Sequence, residues 1–285
     1  MIKNKLNIGM RGHDISADNI EELAKKFNEY GLSSIQLVLK KSINGFSEGM
    51  FSPSFAKLIG KTFRNNNIDI PILGCYINPS CTDETELKAQ TDYFIENLKY
   101  AKFMNAGVVG LETGFVGDTC IPENNHTEEA YQHLLRTMKY LTSEAEKLGV
   151  MIAVEAVNCF VIHSSETMQR LINDLNSPNI CVIFDLLNLL TIDNYKNQTQ
   201  IIKTAFDILG DKIIAVHLKD FKVEYNQLIQ CPIGQGLLNI PLLLSAVKNN
   251  KPYLPIILEE TNEEKITESM FLLTNKYGYC RLAKQ

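Results

Sequence analysis

With 285 residues, 45% of them hydrophobic, the chain can bury one large core, and a barrel of alternating strands and helices needs only about 250 residues. Lys plus Arg number 28 against 33 Asp plus Glu, a net charge of −5, so no generic basic face is offered to nucleic acid. The N-terminal segment has no apolar h-region and no run approaches about 18 apolar residues, which predicts a soluble, cytoplasmic protein without membrane contact.

Residues 6–10 read as a strand that leads into Arg11-Gly12-His13-Asp14. Ser16 is placed to cap a helix whose apolar positions Ile20, Leu23, Ala24 and Phe27 follow the helical period, and Gly31 stops it. A second strand covers residues 35–39. Ser52-Pro53 opens a helix with Phe55, Leu58, Ile59 and Phe63 as its buried stripe. Residues 70–77 form a third strand, 84–104 a long helix, and 108–111 a fourth strand ending in Glu112. The stretch 115–125 has no periodicity and reads as a loop. A helix over 128–148 then places Tyr131, Leu134, Leu135, Met138 and Leu141 on one side.

The second half repeats the scheme. Strands are predicted over 150–154, 180–184, 213–216 and 254–258, separated by helices carrying Met168, Leu171, Ile172 and Leu175, then residues 201–209, then 242–247. A longer loop with Gly234-Gln235-Gly236 comes after the seventh strand, and a last helix spans 263–275. Eight strand-helix units without a linker predict a parallel sheet with right-handed crossovers, closed into a single-domain (β/α)8 TIM barrel over 1–285. An open doubly wound sheet would want a glycine-rich phosphate turn after its first strand, and MRGHD is not one.

Cys75, Cys81, Cys120, Cys159, Cys181, Cys231 and Cys280 are dispersed without a CxxC pair, several of them in or beside apolar strands. That is the usage of a reducing compartment, in which buried cysteine behaves as a small hydrophobe.

Four consecutive strands deliver a metal-competent side chain immediately after their apolar run: Glu155, Asp185, His217 and Glu259. One such residue alone is usually a helix cap or a solvated loop residue. Four at one register are harder to dismiss, because independent caps would scatter in type and place. In a barrel these strand ends share one mouth, and an oxygen-rich set with one imidazole suits Mn, Mg or Co better than a structural zinc site. Glu260 comes directly after Glu259, and strand alternation lets only one face inward; Glu259 matches the other three. Glu112 reads as a structural or supporting residue. Arg11 and His13 stand at the mouth end of strand one, and His126, His133 and His163 read as surface or loop histidines.

The phrases IAVEAVN, VIFDLLNLL, AVHLKDF, PIGQG and IILEE, with the eight-unit layout, resemble the xylose-isomerase-like barrels over nearly the whole chain. That superfamily includes sugar epimerases, inosose dehydratases and a DNA-repair endonuclease. The resemblance implies one divalent metal ion (Mn, Co or Mg, or else Zn) on Glu155, Asp185, His217 and Glu259. It also implies that Glu155 and Glu259 are the catalytic acid and base. Asn188, His13, Arg11, Asn158 and Lys219 are the expected substrate contacts.

The sequence departs from ketose 3-epimerases in having Cys159 and Val161 where they carry an Arg and a second Glu, and Asn188 where many members carry a His; an amide does not titrate near neutrality. The loop after His217 also lacks an Arg that some epimerases use. The implied activity is a sugar, sugar-phosphate or cyclitol isomerisation or epimerisation, by proton transfer through an enediolate between two Glu. An inosose-type dehydratase or a non-catalytic sugar-binding relative are the alternatives. An apurinic endonuclease would need more histidines than five and a basic face. A homodimer or homotetramer is expected from the resemblance alone.

Overall fold

The computed structural model describes residues 6–275. Its barrel strands are β1 (Asn7–Arg11), β2 (Ser34–Leu37), β3 (Asp69–Gly74), β4 (Ala106–Glu112), β5 (Ile152–Glu155), β6 (Ile180–Asp185) and β7 (Ile213–Leu218). After the short strands β8 (Asp220–Glu224) and β9 (Gln227–Cys231), β10 (Pro255–Leu258) completes the barrel. The eight barrel strands are all parallel and close in the order β1-β10-β7-β6-β5-β4-β3-β2. The expected single-domain (β/α)8 barrel is therefore the observed fold.

The helices are α1 (Ile20–Tyr30), α2 (Leu39–Ser42), α3 (Pro53–Asn65), α4 (Glu84–Met104), α5 (Pro122–Asn125), α6 (Glu128–Leu148), α7 (Ser165–Leu175), α8 (Gln198–Leu209), α9 (Ile240–Asn250) and α10 (Ile266–Asn275). The long ones pack against their neighbours around the outside, α1 on α3, α3 on α4, α4 on α6, then α7, α8 and α9 in turn. No helix among the described residues is long and apolar enough to cross a membrane.

Local chemistry explains where these elements begin, and three expectations shift. The cap of α1 is Asn19, not Ser16: its side chain accepts from the Glu22 N–H at 2.9 Å, directly before the apolar period starts. Helix α3 keeps its Ser52 cap but buries Ala56, Ile59, Gly60 and Phe63, leaving Leu58 half exposed. The buried stripe rotates because Gly60 lies against the backbone at Met104, with no room for a Cβ. The second strand ends at Leu37, and Leu39 begins α2 instead.

The loop expected after the seventh strand holds an antiparallel hairpin, β8 with β9, turned at Tyr225-Asn226 with φ of 50° and 60°. Both central residues of a two-residue hairpin turn take positive φ in the type I′ geometry. Asp220 organises the segment beyond the hairpin. Its carboxylate accepts the N–H groups of Phe221 (2.8 Å), Gly234, Gly236 and Leu238 (2.9 Å each). The Gly-Gln-Gly backbone is thus spent on Asp220, and a Cβ at Gly236 would meet Asp220 Oδ1 and Phe221 O at 2.3 Å. Because Asp220 is buried, Asp220→Ala strands several N–H donors, and a loss of about 3 kcal/mol is expected in urea unfolding.

The strands pack on two faces. Their outward residues meet the helices in the main core. A separate inner cluster of Ile72, Val108, Ala153, Cys181, Ile183, Ala215 and Ile257 plugs the barrel. That plug is the floor of the site.

Candidate active site

Strand alternation carries the inward positions from the plug to the mouth two residues at a time. Ala153 is followed inward by Glu155, Ile183 by Asp185, Ala215 by His217 and Ile257 by Glu259; Gly110 is followed by Glu112, Ser34 by Gln36 and Gly9 by Arg11. Parallel register sets neighbours level, Glu112 with Glu155 and Asp185 with His217. Each of these seven strands thus reads small or apolar below and polar above, while β3 carries Gly74 above Ile72.

Glu155, Asp185, His217 and Glu259 are each at most 5% exposed. The Nδ1 atom of His217 lies 3.2 Å from Glu155 Oε1, 3.2 Å from Glu259 Oε1 and 3.7 Å from Asp185 Oδ2. Glu260, by contrast, has a side chain 45% exposed and pairs outward with Arg11 at 2.7 Å. The inward member of the Glu259-Glu260 pair is therefore Glu259. The Lys219 ammonium sits 2.7 Å from Asp185 Oδ2 and 2.9 Å from Glu259 Oε2, so this expected substrate contact is held among the carboxylates.

Burial and mutual charge decide the protonation of these groups. Burial by itself would lower the His217 imidazole, but the Glu155 and Glu259 carboxylates outweigh it and hold it well above its ordinary value. Burial raises Glu155. It would raise Asp185 and Glu259 as well, but Lys219 and His217 more than offset it and both carboxyls are lowered. Glu112 is pushed up to about 8 by burial first and then by the charges of Glu155 and Glu259.

A divalent cation fits this donor set. Donor atoms of Glu155, Asp185 and His217 all lie within 4.8 Å of one another, and the buried Oδ2 of Asp185 is met by the Lys219 ammonium at 2.7 Å, a cation already drawn to this donor set. Carboxylates with one imidazole are hard, oxygen-rich donors. Two residues that sequence reasoning did not single out hold the imidazole in place. His217 Nε2 meets Gln36 Oε1 at 2.7 Å, and Gln36 Nε2 donates to the Tyr76 hydroxyl at 2.6 Å. A Nε2–H donated to Gln36 keeps Nδ1 turned to the carboxylates, where it carries a proton that a bound cation would replace. The available signal was a polar residue inside the strand SIQL, where Gln36 is fully buried.

The remaining expected contacts lie around this centre. Asn188 donates from Nδ2 to Glu155 Oε1 at 2.6 Å, and its N–H donates to Asp185 Oδ1 at 3.1 Å. The Asn158 amide is spent on Leu190 O at 2.7 Å, and its N–H on Asn188 O at 2.7 Å, tying the loop after β5 to the loop after β6. Arg11 clamps Asp14 through two 2.9 Å bonds and lies 3.9 Å from Glu259 Oε2. His13 is half-buried, and its Nδ1 has no hydrogen-bond partner. His126 and His163 stack at 3.6 Å on the loops after β4 and β5.

The cysteines need one correction. Cys75, Cys81 and Cys181 are free and buried, as expected of small hydrophobes, but Cys120 and Cys159 form a disulfide between those same two loops. A separation of 39 residues hides the fact that neighbouring strands bring their loops together at the mouth. Cys280 lies outside the described residues.

Comparison with known proteins gives three kinds of match. The family described as xylose isomerase-like TIM barrel matches residues 7–276. A probable L-ribulose-5-phosphate 3-epimerase of Mycoplasma pneumoniae is 25% identical over 147 residues, 50% of this chain and 45% of that protein, so the match spans about half of each. Among solved structures, a D-tagatose 3-epimerase-like protein superposes with a TM-score of 0.74 at 20% identity, covering 95% of this chain and 97% of the other. A probable 3-DHS dehydratase from Bacillus anthracis superposes at 0.75 and 12% identity, covering 95% and 100%.

Proposed function

We propose, since the chain belongs to the xylose isomerase-like TIM barrel family, that it is a divalent-metal-dependent isomerase or epimerase of a sugar, sugar phosphate or cyclitol. The observation that supports this reading is the convergence of Glu155, Asp185, His217 and Glu259 on one inward layer above a sealed plug. The half-length similarity to a sugar-phosphate epimerase agrees with it.

In this reading Glu155, Asp185, His217 and Glu259 hold one Mn, Co or Mg ion, or Zn. Such an ion, when bound, supplies Lewis-acid polarisation of a substrate carbonyl. The chain's own groups do the proton work. One of Glu155 and Glu259 removes the proton alpha to the carbonyl, and the other returns a proton to the opposite face or to the neighbouring carbon of the substrate enediolate. The first outcome is epimerisation, the second isomerisation. Asn188 orients Glu155 through its 2.6 Å bond, and Lys219 keeps Glu259 and Asp185 ionised.

The test is a screen of ketoses, their phosphates and inososes in heavy water with metal-loaded protein. Deuterium at the carbon beside the carbonyl, with interconversion, is the expected result. An ultraviolet-absorbing enone product would mean elimination of a β-hydroxyl and a dehydratase. No exchange with any sugar would overturn the mechanism.

A further inference from the structure

Glu112 is the one acidic side chain of the inner layer without work. It ends β4 level with Glu155, is half-buried, and has no hydrogen bond or ion pair among the described residues. Each of its acidic neighbours in that layer is partnered: Glu155 by Asn188 and His217, Asp185 and Glu259 by Lys219.

The strand on the other side of β4 contributes a second uncommitted group. Tyr76, just beyond β3, accepts from Gln36, and its phenolic hydrogen goes to no acceptor among the described residues. Gly74 lets the ring sit there: a Cβ at Gly74 would meet the Tyr76 ring at 2.9 Å, so only a bare backbone leaves room for it at the strand's mouth end. An idle carboxyl and an idle phenol therefore stand on β4 and beyond β3, beside the carboxylate proposed to move protons. Among the described residues the cations of the inner mouth, Arg11, Lys219 and His217, are all held against carboxylates.

We propose that Glu112 and Tyr76 form the subsite that recognises the uncharged polyol segment of an open-chain ketose. The Glu112 carboxyl accepts the hydrogen of a substrate hydroxyl next to the reacting carbons, and the Tyr76 phenol donates to a hydroxyl oxygen of the same segment. The inference rests on the sugar-isomerase reading and adds to it which part of the substrate is read and by what. Carboxylate and phenol together suit a vicinal diol, which offers both donors and acceptors.

The experiment pairs kinetics with binding of a sugar that cannot react. Glu112→Leu and Glu112→Gln are loaded with Mn and assayed on the ketose that exchanges deuterium, and calorimetry measures affinity for pentitols such as ribitol and xylitol. Expected for Glu112→Leu is a KM rise of about 10-fold to 100-fold with kcat within about threefold, unchanged metal content and a matching loss of pentitol affinity. Glu112→Gln, which keeps an acceptor, is expected to fall between it and the parent. Unchanged KM and pentitol affinity in Glu112→Leu would overturn the subsite while leaving the isomerase reading intact. Loss of metal in both variants would place Glu112 among the ligands and overturn it too. If the parent protein exchanges no sugar and binds no pentitol, the functional reading fails and the subsite falls with it.

Discussion

Glu259→Gln is expected to lower kcat for interconversion by about a thousandfold, while Glu260→Gln, one residue away, stays within about threefold of the parent. The contrast comes from geometry. Glu259 lies 3.2 Å from His217 and 2.9 Å from Lys219 in the buried layer, whereas Glu260 points out to Arg11. The amide keeps the shape of Glu259 but cannot take or return a proton near neutrality. Glu155→Gln is expected to show a loss of the same size. If the two carboxylates serve opposite faces of the substrate, each single variant still washes solvent deuterium into one epimer and not the other, which proton NMR resolves. Equal loss in Glu260→Gln, or full activity in Glu259→Gln, would remove Glu259 from the proposed mechanism.

The barrel and its four central residues were legible because the signals are local. Each buried parallel strand is a short apolar run, and a polar side chain two residues above the plug announces itself at the run's end. Period-two alternation let only one of Glu259 and Glu260 face inward, and the other three strands, each with its polar residue directly after the apolar run, favoured Glu259. What escaped depends on closure of the barrel. Gln36 looks like one polar residue in SIQL until β2 is carried round to face β7 across the mouth, and Tyr76 has no meaning before Gln36 has one. The Cys120–Cys159 link and the His126–His163 stack need the loops after β4 and β5 to be neighbours. The β8–β9 hairpin was hidden because Tyr225-Asn226 is not one of the strong glycine-containing turn signals. Lys219 was expected to meet substrate, yet the acids that surround it come from β6 and the end of β10, far away in sequence.

Removing metal should be felt in stability as well as in turnover. Glu155, Asp185 and Glu259 are crowded around one imidazole out of water, with Lys219 as the nearest committed cation. Burying like charges costs free energy unless a cation offsets them. A bound ion at about 100 times its Kd would stabilise the fold by about 2.7 kcal/mol, which for a chain of this size moves Tm by roughly 5 to 10 °C. Expected, then, are about one Mn or Co per chain by elemental analysis, a fall in Tm on chelation, and its recovery on reloading. His217→Ala and Asp185→Ala should lose both the ion and the Tm response. Gln36→Leu should keep the ligands but free the imidazole to rotate, weakening metal affinity by about 10-fold to 100-fold; that graded loss separates a positioning role from ligation. Three zinc ions per chain would redirect the reading toward an endonuclease. A Tm indifferent to chelation and reloading, in a protein that carries no metal, would mean that Lys219 and His217 alone balance these carboxylates and that the site is not a metal centre.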